Sequence, residues 1–158
     1  MAGLTQERPS GSVVGVDFTQ AMIDGTAENA QELGLRSVSL VLGDIEGLPR
    51  EDDSADVIIS NCVINLAPDK AAVFREAFRV LHRGGRLVVS NIALARPATA
   101  AEVDGMAVLT GGVSGSLPAV EYAVTIRTAG FADVTVEGES DTGTENFWYG
   151  AVIRAIKP

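Results

Sequence analysis

Only one cysteine and one histidine occur in the chain, Cys62 and His82. A single thiol excludes an intrachain disulfide, and the two together offer too few soft ligands for a structural zinc site. Metal or metalloid chemistry therefore has to pass through Cys62 or through a second chain. Basic residues are scarce as well: 12 lysines and arginines against 21 aspartates and glutamates leave a formal net charge of -9. That field opposes phosphate backbones and anionic lipid surfaces, which sets aside nucleic acid and membrane as partners. No uninterrupted apolar run reaches about 18 residues, and the opening MAGLTQERPSG has no apolar stretch of the signal-peptide kind. A cytoplasmic protein is the simplest expectation. What the sequence does have is apolar content, 46% of 158 residues, enough to bury one core. With no internal repeat, low-complexity tract or linker, residues 1–158 are expected to form a single domain.

The first clear element is SVVGVDF at 12–18, a short apolar, β-branched run of the kind buried in parallel sheets, and it carries Asp17 at its end. Thr19 suits the N-cap of a following helix, in which Met22, Ile23, Ala27, Ala30 and Leu33 recur at helical spacing until Gly34 stops it. A second strand over 38–42 ends at Gly43-Asp44, and a third over 55–60 ends at Asn61-Cys62. The spacing then predicts a helix over 70–81, with Val73, Phe74, Ala77, Phe78 and Leu81 on one face and Gly84-Gly85 as its terminator. A fourth strand follows over 86–94. The Ala-rich stretch 98–109 reads as helical up to Gly111-Gly112, and 118–129 as a further helix, with Pro118 in its first turn and Gly130 as its stop. Val134, Val136 and then residues 147–156 surround an acidic, turn-rich segment and predict an antiparallel hairpin. Strands alternating with helices in this way make an α/β fold built on an open, mostly parallel sheet.

In such sheets ligands bind beyond the carboxyl ends of the strands, near the point where strand order reverses. Asp17, Asp44 and the Asn61-Cys62 pair then share one rim. An acidic side chain there can accept both hydroxyls of a ribose, and one strand-helix-strand unit separates Asp17 from Asp44. The same aspartates have an equally good structural reading as turn formers or helix caps.

The strings GVDFTQAMI, GDIEGLP, DVIISNCVINLAPDK, VFREAFRVLHRGGRLVVSNI and AGFADVTV, spanning about Gly11 to Val136, resemble successive motifs of arsenite methyltransferases. ISNCVINL followed by Asp69-Lys70 is the most specific part, since methyltransferases in general share the acidic strand end and the Gly-Gly turn but not this cysteine-centred string. The resemblance implies a class I, Rossmann-like methyltransferase fold with helices on both faces of the sheet, S-adenosylmethionine as cofactor, and a trivalent arsenical, free or as a thiol conjugate, as the small-molecule substrate. It implies that Asp17 holds the ribose, that Met22 packs by the cofactor, that Ile45 and Glu46 flank the adenine, and that Cys62 is the arsenic-binding thiol. Asp44 and Asn61 join the cofactor side from their places at strand ends.

Two departures from that pattern shape the expectations. The family's first strand and glycine-rich loop should precede SVVGVD, and the opening residues resemble only the tail of the helix after them. The sheet is thus expected to lack its first strand, and cofactor binding to be impaired. GGVSG also places Gly112 where the family has a second cysteine, so Cys62 stands alone, a poor match for arsenite, which prefers several thiolates. The absent strand belongs between the SVVGVD and DVIIS strands in the resembled fold. Its loss exposes two inner edges, and a homodimer is the expected remedy. Two other functions compete with methyl transfer to arsenic: a non-catalytic remnant that keeps a thiol-binding module, and a methyltransferase with another small acceptor. His82 reads as a solvated cation, and Trp148 and Tyr149 as packing residues. Asn65 is compatible with either a substrate contact or a turn before Pro68.

Overall fold

The computed structural model describes residues 11–99, 102, 115–138 and 148–158. Strand β1 (Val13–Asp17) leads into helix α1 (Gln20–Glu32) and strand β2 (Val38–Leu42), which lies parallel to β1 from Val13 opposite Val38 to Asp17 opposite Leu42. A Cβ at Gly15 would stand 2.7 Å from the end of the Leu40 side chain, which would have to shift to admit it. Gly34, at φ 68°, turns the chain out of α1 in the left-handed region where glycine has no steric penalty.

The remaining described strands form a second, four-stranded sheet in the order β3-β4-β6-β5. Strand β3 (Ala55–Asn61) runs parallel to β4 (Leu81–Leu94), while β6 (Trp148–Ile156) is antiparallel to both β4 and β5 (Ala132–Glu137). Helices α2 (Lys70–Val80) and α3 (Ala119–Thr128) pack on each other and on this sheet. Phe74 and Ala77 of α2 meet Leu87, Val89 and Ala93 of β4, Tyr122 and Ile126 of α3 and Ile153 of β6 in one buried cluster. Edge-to-face aromatic pairs, Phe74 with Tyr122 at 6.4 Å and Phe78 with Phe131 at 5.2 Å, tie the helices to each other and to the start of β5. The C-terminal hairpin lies where the valines and the 147–156 run predict it.

Three expectations change. The Gly84-Gly85 pair does not end α2. The helix stops at Val80, and β4 starts at Leu81 because Lys157 holds that stretch in the ladder: Gly84 N donates to Lys157 O at 2.7 Å, Lys157 N to Gly85 O at 2.9 Å and Lys157 Nζ to Leu81 O at 2.7 Å. The glycine pair is instead a bend inside the strand, with Gly84 at φ 78°. Thr19 occupies the N-cap position of α1 without a capping side-chain bond. The third change concerns the apolar stripe of α1, of which only Ala30 is buried, while Met22 is 52% and Leu33 67% exposed. Among the described residues this helix packs mainly on two strands, too narrow a surface to cover it. The predicted helix over 98–109 falls largely on residues 100, 101 and 103–110, and Gly111-Gly112 with it, outside the described residues.

No helix among the described residues is long and apolar enough to cross a membrane. Among the described residues the two sheets share no ladder: β1 pairs with β2, and β3 with β4.

Candidate active site

The carboxyl ends of the parallel strands carry the residues singled out from the sequence. On the first sheet Gly43 N donates to Asp17 O at 2.9 Å, continuing the ladder past Leu42 and carrying the chain on to Asp44. One carboxylate oxygen of each aspartate closes a local turn: Asp17 Oδ1 accepts from Thr19 N at 2.8 Å, and Asp44 Oδ1 from Glu46 N at 2.9 Å. The second oxygen of each accepts nothing from the described residues. Met22 is largely exposed, whereas Ile45 is half-buried and packs against the main core. Glu46 is committed elsewhere, since its Oε1 accepts from Asp69 N at 2.8 Å and so ties the loop after β2 to the start of α2.

On the second sheet Asn61 lies opposite Ser90, and Cys62 N donates to Ser90 O at 2.8 Å. Cys62 is exposed, with its backbone at φ 57° in the left-handed region uncommon for a residue with a Cβ. That turn throws the thiol off the end of β3 and starts the short 3₁₀ helix Ile64–Leu66. No group of three or more histidine, cysteine or acidic side chains placed to hold a metal occurs among the described residues.

Beneath the cysteine turn lies a buried polar cluster that no periodic signal announces. Asn65 Nδ2 donates to Ile92 O and to Ser116 Oγ, each at 3.0 Å. Its Oδ1 accepts from Asn91 Nδ2 at 2.9 Å and from the Tyr122 hydroxyl. Burial pushes the Tyr122 phenol above its ordinary range, although the Asn91 amide works the other way. Asn91 Oδ1 is buried with no partner among the described residues. Asn65 therefore anchors the turn rather than facing a substrate. Lys70 Nζ adds bonds to Asn65 O at 3.2 Å and Ala67 O at 3.1 Å, and burial lowers its pKa.

Of the remaining candidates, the histidine is exposed and the two aromatic residues pack. His82 is exposed and sits near Leu81, which pairs with Ala55 at the far end of the β3-β4 ladder from Cys62. Trp148 packs with Leu94, Ile92 and Ala98, and Tyr149 against the main core. The concavity lined by Leu48, Pro49, Arg50, Glu51 and Ser54 includes none of the rim residues.

A methyltransferase-domain family model matches residues 1–122. The arsenite methyltransferase of Halobacterium salinarum is 34% identical over 161 residues, covering 95% of this chain and 41% of that protein. The human arsenite methyltransferase is 36% identical over 91 residues, 52% of this chain and 24% of that enzyme. Thus the chain spans under half the length of these curated relatives. Among solved structures, the arsenic (III) S-adenosylmethionine methyltransferase of Chlamydomonas reinhardtii superposes with a TM-score of 0.80 at 31% identity, over 93% of this chain and 56% of that one. A [4+2]-cyclase, at 19% identity and a TM-score of 0.77 over 93% of this chain and 66% of that one, shares the fold alone. With its class I fold and its resemblance to the arsenite methyltransferases, this chain belongs to the methyltransferase-domain family.

Proposed function

We propose that the chain carries the adenosine-binding and arsenic-binding parts of an S-adenosylmethionine-dependent methyltransferase acting on trivalent arsenic. The observation that carries this reading is the exposed Cys62 thiol, presented by a left-handed turn at the same kind of strand end as Asp17 and Asp44. The adenosine half of the cofactor fits the residues present. The uncommitted oxygen of Asp17 is an acceptor for the ribose hydroxyls, Ile45 offers an apolar face to the adenine with Met22 beside it, and Asp44 and Asn61 supply further polar groups. Glu46, bonded to Asp69 N, contributes by fixing the loop under the adenine.

S-adenosylmethionine supplies a methyl group on a sulfonium, a good leaving group. Cys62 holds the acceptor: its sulfur bonds to arsenic as a hydroxyl leaves arsenic, and the thiol proton departs with that hydroxyl as water. The lone pair left on arsenic is the nucleophile. Such a transfer needs alignment more than acid or base help, which suits a site with no histidine at hand. One thiol satisfies one arsenic valence, so a soluble thiol such as glutathione completes the coordination. A single domain in the reducing cytoplasm, where an exposed thiol persists, is the setting this chemistry requires.

The test is product analysis of the chain incubated with arsenite, glutathione and an excess of S-adenosylmethionine. Methylated arsenic should form, diminish with Asp17→Ala and disappear with Cys62→Ser. Equal product from Cys62→Ser would remove arsenic from the reading, and methyl transfer to a different small acceptor would replace it. The lack of a shared ladder between the two sheets among the described residues favours one alternative, an arsenical-binding module without methyl transfer. That module would bind arsenic at Cys62 and yield no methylated product.

A further inference from the structure

The turn at Cys62 departs from the alternation that β3 sets up. Along that strand Ile58 and Ser60 are half-buried while Ile59 and Asn61 are exposed, and Ile58 packs against the main core. Their partners on β4, Leu87 and Val89, lie on the same buried face. Side chains on a strand alternate with a period of two, so an extended residue 62 would follow Ile58 and Ser60 inward and lie opposite Asn91. The thiol would then be buried. Instead Cys62 takes φ 57° and is exposed. The place beside Asn91 is filled by the amide of Asn65, whose Oδ1 accepts from Asn91 Nδ2 at 2.9 Å and from the Tyr122 hydroxyl.

We propose that Asn65 is a positioning residue for Cys62: by occupying the place that an extended strand would give the thiol, its amide holds the chain in the left-handed turn that presents the sulfur to solvent. The inference rests on the proposed role of Cys62 and adds the residue that decides whether the thiol can be reached. Three ties fix the turn. Cys62 N donates to Ser90 O at 2.8 Å, and Asn65 Nδ2 to Ile92 O at 3.0 Å. Lys70 Nζ donates to Asn65 O at 3.2 Å and to Ala67 O at 3.1 Å. Backbone strain at a residue with a Cβ persists only where the surroundings over-determine it, and here they do.

Two features suit the cluster to placement rather than to stability alone. Burial keeps the Tyr122 phenol protonated, so its hydroxyl donates to Asn65 throughout the range in which a thiol titrates. Asn91 Oδ1 is buried with no partner among the described residues, a penalty that an apolar filling would avoid. What the polar filling adds is direction, because the Asn65 amide meets its partners at fixed angles. Without it the strand can extend by one residue and the thiol takes the vacated place, where burial in apolar surroundings raises its pKa and slows its reactions.

The test combines the rate at which Cys62 of the folded chain reacts with iodoacetamide, a neutral thiol reagent, with denaturation midpoints. Asn65→Ala is expected to slow the reaction about tenfold or more, while the denatured chains react alike. Tyr122→Phe keeps the ring in the core and removes one donor; it should act in the same direction, and it serves in both measurements should Asn65→Ala not fold. Cys62→Gly reads the coupling through stability. Glycine has no left-handed penalty, so it should raise the midpoint of the parent, yet lower that of Asn65→Ala, where the strand is extended and glycine weakens it. Thiol reactivity unchanged or faster in the variants, or the same midpoint shift from Cys62→Gly in both backgrounds, would overturn the proposal and leave Asn65 a core anchor only. Neither readout uses arsenic, so a failure to methylate arsenite would remove the proposed reaction and leave this result standing.

Discussion

Cys62 and Asn65 belong to one turn and use their side chains in opposite ways. The thiol is exposed, whereas the amide is buried and bonds inward to Ile92, Ser116, Asn91 and Tyr122. Replacing Asn65 by Ala removes the acceptor of the Asn91 amide and of the Tyr122 hydroxyl, which keep their 3.2 Å bond to each other, at a cost of about 1–3 kcal/mol. Calorimetry should record that loss as a clear fall in Tm, while Cys62→Ser stays within about 0.5 kcal/mol of the parent because an exposed side chain has little to lose. A comparable fall for Cys62→Ser would mean that the thiol is part of the packing. The cysteine was legible because it sits in a specific string. The cluster beneath it was not, because Asn65, Asn91, Ser116 and Tyr122 come from four separate segments that only the folded sheet brings together. No spacing announces such a set.

At the scale of elements, α1 and α2 have similar helical patterns and different fates. Helix α2 buries Val73, Phe74, Ala77 and Val80, whereas α1 buries only Ala30. Phe74→Ala is therefore expected to destabilise the chain by about 3–5 kcal/mol and Met22→Ala by less than about 0.5 kcal/mol, as chemical denaturation would measure. Periodicity fixed the existence of both helices correctly, but burial depends on what stands opposite, and for α1 that is two strands. The fourth strand shows the same dependence, since it begins at Leu81 instead of Arg86 through bonds to Lys157, a residue from the far end of the chain. The strap between α2 and the loop after β2 brings a pH dependence. Hydrogen bonding from Arg79 holds the Glu76 carboxyl below its ordinary 4.5, helped by Leu48 N. A depressed carboxyl stabilises the fold above its unfolded pKa and loses that contribution as pH falls through the folded value. Stability should therefore decline below about pH 4.5, and Glu76→Gln should flatten that part of the profile. An unchanged acid limb in the variant would place the sensitivity elsewhere.

At the scale of the whole molecule, the two sheets share no ladder among the described residues, and the groups on which the proposed chemistry depends are divided between them. Asp17 and Asp44 end the strands of one, and Asn61-Cys62 ends a strand of the other. S-adenosylmethionine is accordingly expected to bind the dilute chain weakly, through the adenosine contacts alone; calorimetric titration showing low-micromolar affinity that vanishes in Asp17→Ala would mean that the half-site suffices. Hydrogen exchange should likewise find the amides of α1 opening well before those of β4 and β6, which flank the buried cluster. The central claim, that Cys62 is an arsenic-binding thiol, is tested most directly by intact-mass spectrometry of the native chain with a trivalent arsenical that has one open valence. A single adduct on Cys62, formed more readily than with arsenite and absent from Cys62→Ser, is the predicted result. No adduct on the folded chain, or the same adduct on Cys62→Ser, would contradict it.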